Sequence, residues 1–150
     1  MRSLIRTVFA PTLAIGIAST GLIVGASPAS AAVSCSTYAQ VFNTSGTTQA
    51  NVPSTSTTGG FNCTLGSGTT GTGVRALQRT LNNCYSAGLT VDSNFGSATA
   101  AALKRAQRAA GVSDDGVYGP ATRDAIDHIY YRVDGTRDGG AAFVCGTVYI

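Results

Sequence analysis

The stretches GLTVDSNFGSATAAAL (residues 88–103) and GVSDDGVYGPATRDAI (residues 111–126) align without a gap at a spacing of 23 residues. Gly88, Asp92, Gly96, Ala98, Thr99 and Ala102 recur as Gly111, Asp115, Gly119, Ala121, Thr122 and Ala125. Leu89, Thr90, Phe95 and Leu103 recur conservatively as Val112, Ser113, Tyr118 and Ile126. The repeating unit is a loop that leads into a helix, and each conserved type has a local job. The Asp accepts hydrogen bonds from nearby backbone N–H groups, as in an Asx turn. The aromatic packs the loop onto the helices. The Gly permits a tight or left-handed bend before the helix. The Thr lies in the first helical turn, where its hydroxyl can serve free N–H groups.

Outward from the repeat, helical periodicity begins near Thr72. Val74, Leu77, Leu81 and Cys84 fall at steps of three, four and three, on one face. Gly88 closes this first helical unit. A second helix is expected from Ser97, an N-cap type, to Ala110, with Gly111 as the C′ residue. Its buried face would use Ala102, Leu103, Ala106 and Ala110. A third helix should start at Pro120, a favoured first position, and run through Ile126 and Ile129. Residues 142–150 read as a short strand-like tail.

The N-terminus reads as a secretory signal. Arg2 and Arg6 form a positive n-region, Val8 to Ala26 carries no charge, and Ala29-Ser30-Ala31 is a small-x-small cleavage pattern. An uncleaved anchor and a lipidated Cys35 are the alternatives; the residues before Cys35 fit a lipobox poorly. Residues 32–62 form an arm rich in Thr, Ser and Gly, poor in core formers, and are expected to be irregular. The chain thus divides into a leader (1–31), an arm (32–62), a helical domain (63–132) and a tail (133–150). Loss of the leader removes two of ten basic residues and none of the seven acids, so the charge falls from +3 to +1. That near-neutral balance offers no nucleic-acid footprint. No stable membrane insertion is expected after cleavage.

Cys35, Cys63, Cys84 and Cys145 contain no C-x-x-C pair, and in an exported chain they read as two disulfides. Cys63–Cys84 with Cys35–Cys145 is the favoured pairing, since it would let the tails 33–42 and 142–150 pair as a small sheet. Cys35–Cys63 with Cys84–Cys145 stays open. A zinc site lacks ligand pairs close in sequence, and His128 is the single histidine. No metal or cofactor is expected.

Catalytic chemistry finds little support. Nucleophilic catalysis needs a base beside its nucleophile, and no nucleophile motif surrounds His128, which reads as a polar residue on the third helix. Glycoside hydrolysis needs two facing carboxylates. Asp114 and Asp115 are adjacent and should diverge; Asp124 and Asp127 read as a solvated face one helical turn apart.

Val74 to Asn82, with its Leu77-Gln78 pair, then Val91 to Thr99 and Asp115 to Thr122, together resemble the bacterial peptidoglycan-binding domain. The resemblance covers roughly residues 63–132. Cys84-Tyr85 after the first helix is similar to versions from secreted actinobacterial proteins. Ser93 departs from the family's Gly, and Ala106-Gln107 replaces its aromatic-Gln pair. The resemblance implies a mainly α chain: a compact three-helix domain with an irregular arm. It implies a secreted, wall-associated, monomeric protein that binds peptidoglycan and is not an enzyme. An extracellular interaction or inhibitor module on the same fold is the alternative. Arg75, Arg79 and Arg123 could grip stem-peptide carboxylates, and Tyr118 could stack on sugar. Asp92, Phe95, Gly96, Thr99, Asp115, Gly119 and Thr122 form the structural loop motif.

Overall fold

The computed structural model describes residues 32–133 and 143–150. The expected leader, residues 1–31, lies outside the described residues. The elements are β1 (Thr37–Phe42), β2 (Thr48–Ser54), α1 (Thr72–Tyr85), α2 (Ser97–Ala109), α3 (Pro120–Ala125), β3 (His128–Arg132) and β4 (Phe143–Gly146). Among the described residues no helix is long and apolar enough to cross a membrane.

The expectation of a mainly α chain with an irregular arm is overturned. The strands form one antiparallel sheet in the order β1-β2-β3-β4. The arm supplies half of it. Its Ser, Thr, Asn and Gly are turn chemistry rather than disorder. The Asn43 side-chain oxygen accepts from the Thr47 and Thr48 amides at 2.9 and 3.1 Å, and Gly46 takes a φ of 69° in the same turn. In β2, Ala50 and Val52 alternate onto one face and are buried there with Tyr130 and Val148.

α1 packs against β1, β2 and β3 from the other face of the sheet. The approach is tight at Gly73. A Cβ there would lie 2.3 Å from the Cys35 carbonyl oxygen and 2.6 Å from that of Thr37. On its opposite side α1 builds the main core. Val74, Leu77 and Leu81 meet Phe95, Ala102, Leu103, Ala106, Leu65 and Ile126. Burying each leucine contributes about 2–3 kcal/mol. The predicted apolar faces of α1 and α2 are therefore observed, with Cys84 and Ala110 only half-buried.

The third helix is shorter than the pattern predicts. It ends at Ala125, and Ile126 turns extended, with φ −86° and ψ 151°. Ile126 drops into the core, and the Asp127 amide donates to the Tyr85 hydroxyl at 2.7 Å. His128 and Ile129 then start β3 rather than continuing the helix. Asp124 and Asp127 consequently do not share a helix face.

The favoured disulfide pairing is also overturned, in favour of the sequential one. Cys35–Cys63 and Cys84–Cys145 are bonded, with Cα separations of 5.1 and 5.7 Å. Cys35 sits beside Cys63 because their segments are hydrogen-bonded: the Cys35 amide to Thr64 at 3.0 Å and the Thr64 amide to Val33 at 2.8 Å. Cys145 on β4 meets the end of α1. The two tails do not pair with each other, because β1 and β4 are opposite edges of the sheet.

Candidate functional site

Both repeats are organised around a buried glutamine from the preceding helix. Gln78 on α1 donates to the Asp92 carboxylate at 2.8 Å, to the Asn94 carbonyl at 3.0 Å and to the Thr99 hydroxyl at 3.3 Å. Its own side-chain oxygen accepts from the Ser93 amide at 3.0 Å. Gln107 on α2 repeats this with Asp115 at 2.9 Å, the Val117 carbonyl at 3.0 Å and Thr122 at 2.9 Å. Its oxygen accepts from the Gly116 amide at 2.9 Å. Each Asp also closes the expected Asx turn, accepting from Asn94 at 2.9 Å and from Val117 at 2.8 Å. The Gln78 amide and then the Asn94 N–H hold the Asp92 carboxyl below its usual range.

The Thr hydroxyls thus answer glutamine side chains, not the free N–H groups of their helices. The left-handed bend is also displaced from the expected position. Gly96 and Gly119 are N-caps with φ of −87° and −134°. Ser93 and Gly116, three residues earlier, take φ of 66° and 77°. Phe95 and Tyr118 are each tied by backbone bonds to one strap, Leu65–Thr70. Phe95 donates to Thr69 at 2.9 Å, and Tyr118 to Leu65 at 2.9 Å.

The four expected ligand residues separate. Tyr118 is 1% exposed and offers no ring face to solvent; burial raises its phenol well above the ordinary range. Arg123 is 9% exposed. Its guanidinium donates to the Phe61 carbonyl at 2.9 Å and to Asp124 at 2.7 Å, which pins the arm to α3. Arg75 and Arg79 remain exposed on α1. Among the described residues neither guanidinium has a partner.

Two concave surfaces flank these elements. A cleft of about 440 Å³ runs between the first loop and α2, lined by Gly88, Thr90, Asp92, Asn94, Ala98 and Arg105. A crevice of about 290 Å³ lies between α1 and the sheet. Arg75 and Arg79 form one wall of the crevice; Tyr38, Asn51, Ile129 and Tyr131 form the other.

Residues 70–126 match the peptidoglycan binding domain family. The crystal structure of the SleB N-terminal domain is also similar, at 32% identity and a TM-score of 0.40, covering 41% of this chain and 85% of that one. No curated protein matches the chain.

The peptidoglycan binding domain match takes in α1, α2, α3 and both glutamine-centred loops. The sheet lies outside it, so the crevice joins matched and unmatched residues. Sequence reasoning missed Gln78 and Gln107 as organising residues, although a glutamine on an otherwise apolar face recurs in both helices. It missed Tyr38, Asn51 and Tyr131 because only strand pairing brings them to α1.

His128, Asp114 and the cysteines are engaged structurally. His128 is 1% exposed, and its Nε2–H donates to the Arg123 carbonyl at 3.1 Å. Burial lowers its pKa to about 4. Asp114 pairs with Arg108 at 2.6 Å. All four cysteines are disulfide-bonded and supply no thiolate ligand.

Proposed function

We propose that the chain is a secreted, non-catalytic protein that binds peptidoglycan as a monomer at the cell wall and uses no cofactor. The match of residues 70–126 to the peptidoglycan binding domain is the observation that carries this reading. The disulfides and the signal-like leader support export. The glutamine-centred loops tie the starts of α2 and α3 to the preceding helices through Thr99 and Thr122, the kind of support a binding surface requires. His128 is buried and neutral at pH 7, so it is a poor general base for a wall hydrolase.

Sedimentation with purified sacculi tests the proposal, with zymography on wall substrate as its second arm. Co-sedimentation without clearing is expected. A chain that stays in the supernatant at low salt would sink the wall reading. Capture of a single protein from culture filtrate by such a non-sedimenting chain would favour the inhibitor alternative.

A further inference from the structure

The crevice between α1 and the sheet has the features of a ligand site that the loops do not explain. Arg75 and Arg79 stand one helical turn apart, which places their Cβ atoms about 6 Å from each other. Both guanidinium groups are exposed and lack any partner among the described residues. Opposite them, the Asn51 side-chain oxygen is buried and has no hydrogen-bond partner. A buried acceptor left unpaired costs free energy that a donor on a ligand would recover. Tyr38 and Tyr131 add aromatic lining, and the buried Ile129 adds apolar lining.

The two chemistries together define the occupant. The arginines call for an anion, and a guanidinium fork matches a carboxylate with two parallel hydrogen bonds. Asn51 calls for an N–H or O–H donor a short distance away. A peptide C-terminus carries both, its carboxylate next to its last amide N–H. Flat sugar without a carboxylate would leave both arginines unanswered. Phosphate would satisfy the arginines but bring no N–H to Asn51.

We propose that this crevice binds the free C-terminal carboxylate of peptidoglycan stem peptides. The inference rests on the wall-binding reading and gives it a location. The site is composite: α1 supplies the cations, and β1, β2 and β3 supply the aromatic lining and the acceptor. The family match alone does not contain it, because Tyr38, Asn51, Ile129 and Tyr131 lie outside residues 70–126.

The test uses the full disulfide-bonded chain and a synthetic stem pentapeptide, as its free acid and as its C-terminal amide. Binding is read by calorimetry and by amide chemical shifts. The free acid should bind, and amidation should weaken it by about tenfold or more. R75A and R79A should each weaken the acid similarly, with unchanged melting temperature, because both side chains are exposed. R79K should retain more binding than R79A. Equal affinity for acid and amide, or full affinity in both alanine variants, would overturn the proposal, as would no binding of the acid. Sacculus sedimentation separates the two readings. If wild type and R75A/R79A sediment equally, the crevice is wrong and wall binding stands. If wild type binds the acid but never sediments, the crevice stands as a carboxylate site and the wall reading falls.

Discussion

Ser93 and Gly116 sit at the same point of the two repeats and share one left-handed backbone conformation, with φ of 66° and 77°. Glycine adopts that region freely, whereas a side chain there costs about 1–2 kcal/mol. Ser93→Gly should therefore stabilise the fold by roughly 0.5–1 kcal/mol, after allowing for the entropy glycine adds to the unfolded chain. Gly116→Ala should destabilise it, because a side chain at that φ is strained even after the flexible Lys104 stem swings away from the new Cβ. Urea midpoints of the two variants should move in opposite directions.

Gln78 and Gln107 each satisfy several loop groups at once. Replacing Gln107 by Leu strands the Gly116 amide, leaves the Val117 carbonyl with the Thr122 hydroxyl alone, and removes the donor to Asp115 and Thr122. The expected loss is about 3 kcal/mol, because buried groups left unpaired incur their full desolvation cost. Hydrogen exchange provides the specific readout. Gly116 should lose protection in Q107L, and Ser93 in Q78L, with the other loop unchanged in each case.

Gly73 sits in a helix, where alanine is ordinarily the better residue by about 1 kcal/mol. Here the added methyl would collide with two backbone carbonyls, of Cys35 and Thr37. Neither can move without shifting the start of β1. Overpacking of this kind costs about 1–3 kcal/mol and should outweigh the propensity gain. G73A should melt lower than wild type; an increase would show that α1 does not approach the strand this closely.

Burial lowers the His128 pKa to about 4, against 6.5 for the exposed ring. Between those values the unfolded chain binds a proton that the folded chain does not. Stability contributed by the neutral ring is therefore complete above pH 6.5 and is lost as pH falls toward 4, by about 3 kcal/mol in all. Urea melts at pH 7 and pH 5 should show the drop. H128Q, whatever its stability at pH 7, should show much less pH dependence across this window.

The Cys84–Cys145 bond closes a 61-residue separation and ties β4 to the end of α1. On chain-entropy grounds its removal should cost about 4 kcal/mol. C84S/C145S should lose amide protection first along the β3–β4 ladder. Equal loss in α2 would mean that the bond supports the whole fold rather than its edge.

The sequence by itself determined α1, α2, the two loops and the family resemblance. Those features are written locally, in the steps from Val74 to Leu81, in the left-handed Gly111 that follows α2, and in an Asp whose turn spans two residues; the expected N-cap Ser97 is instead the first helical residue, after Gly96. Tertiary structure decided the sheet's order and its second strand. The segments 33–42 and 142–150 were legible as strand-like, but β2 is spelled largely in Thr, Gln, Asn, Pro and Ser, types that read as loop until strand pairing buries Ala50 and Val52 on one face. His128-Ile129 continued a helical pattern until Ile126 and the Tyr85 hydroxyl turned the chain into β3. The disulfides followed the same logic, because cysteine spacing states no distance and only the bonded segments at Val33–Cys35 and Thr64 brought Cys35 to Cys63. The site divided likewise. Arg75 and Arg79 were legible as exposed cations on one helix face, but what faces them is set by contacts between residues far apart in sequence. The same packing withdrew Tyr118 and Arg123 from solvent, since an aromatic ring and a long aliphatic stem gain more from the core than from water.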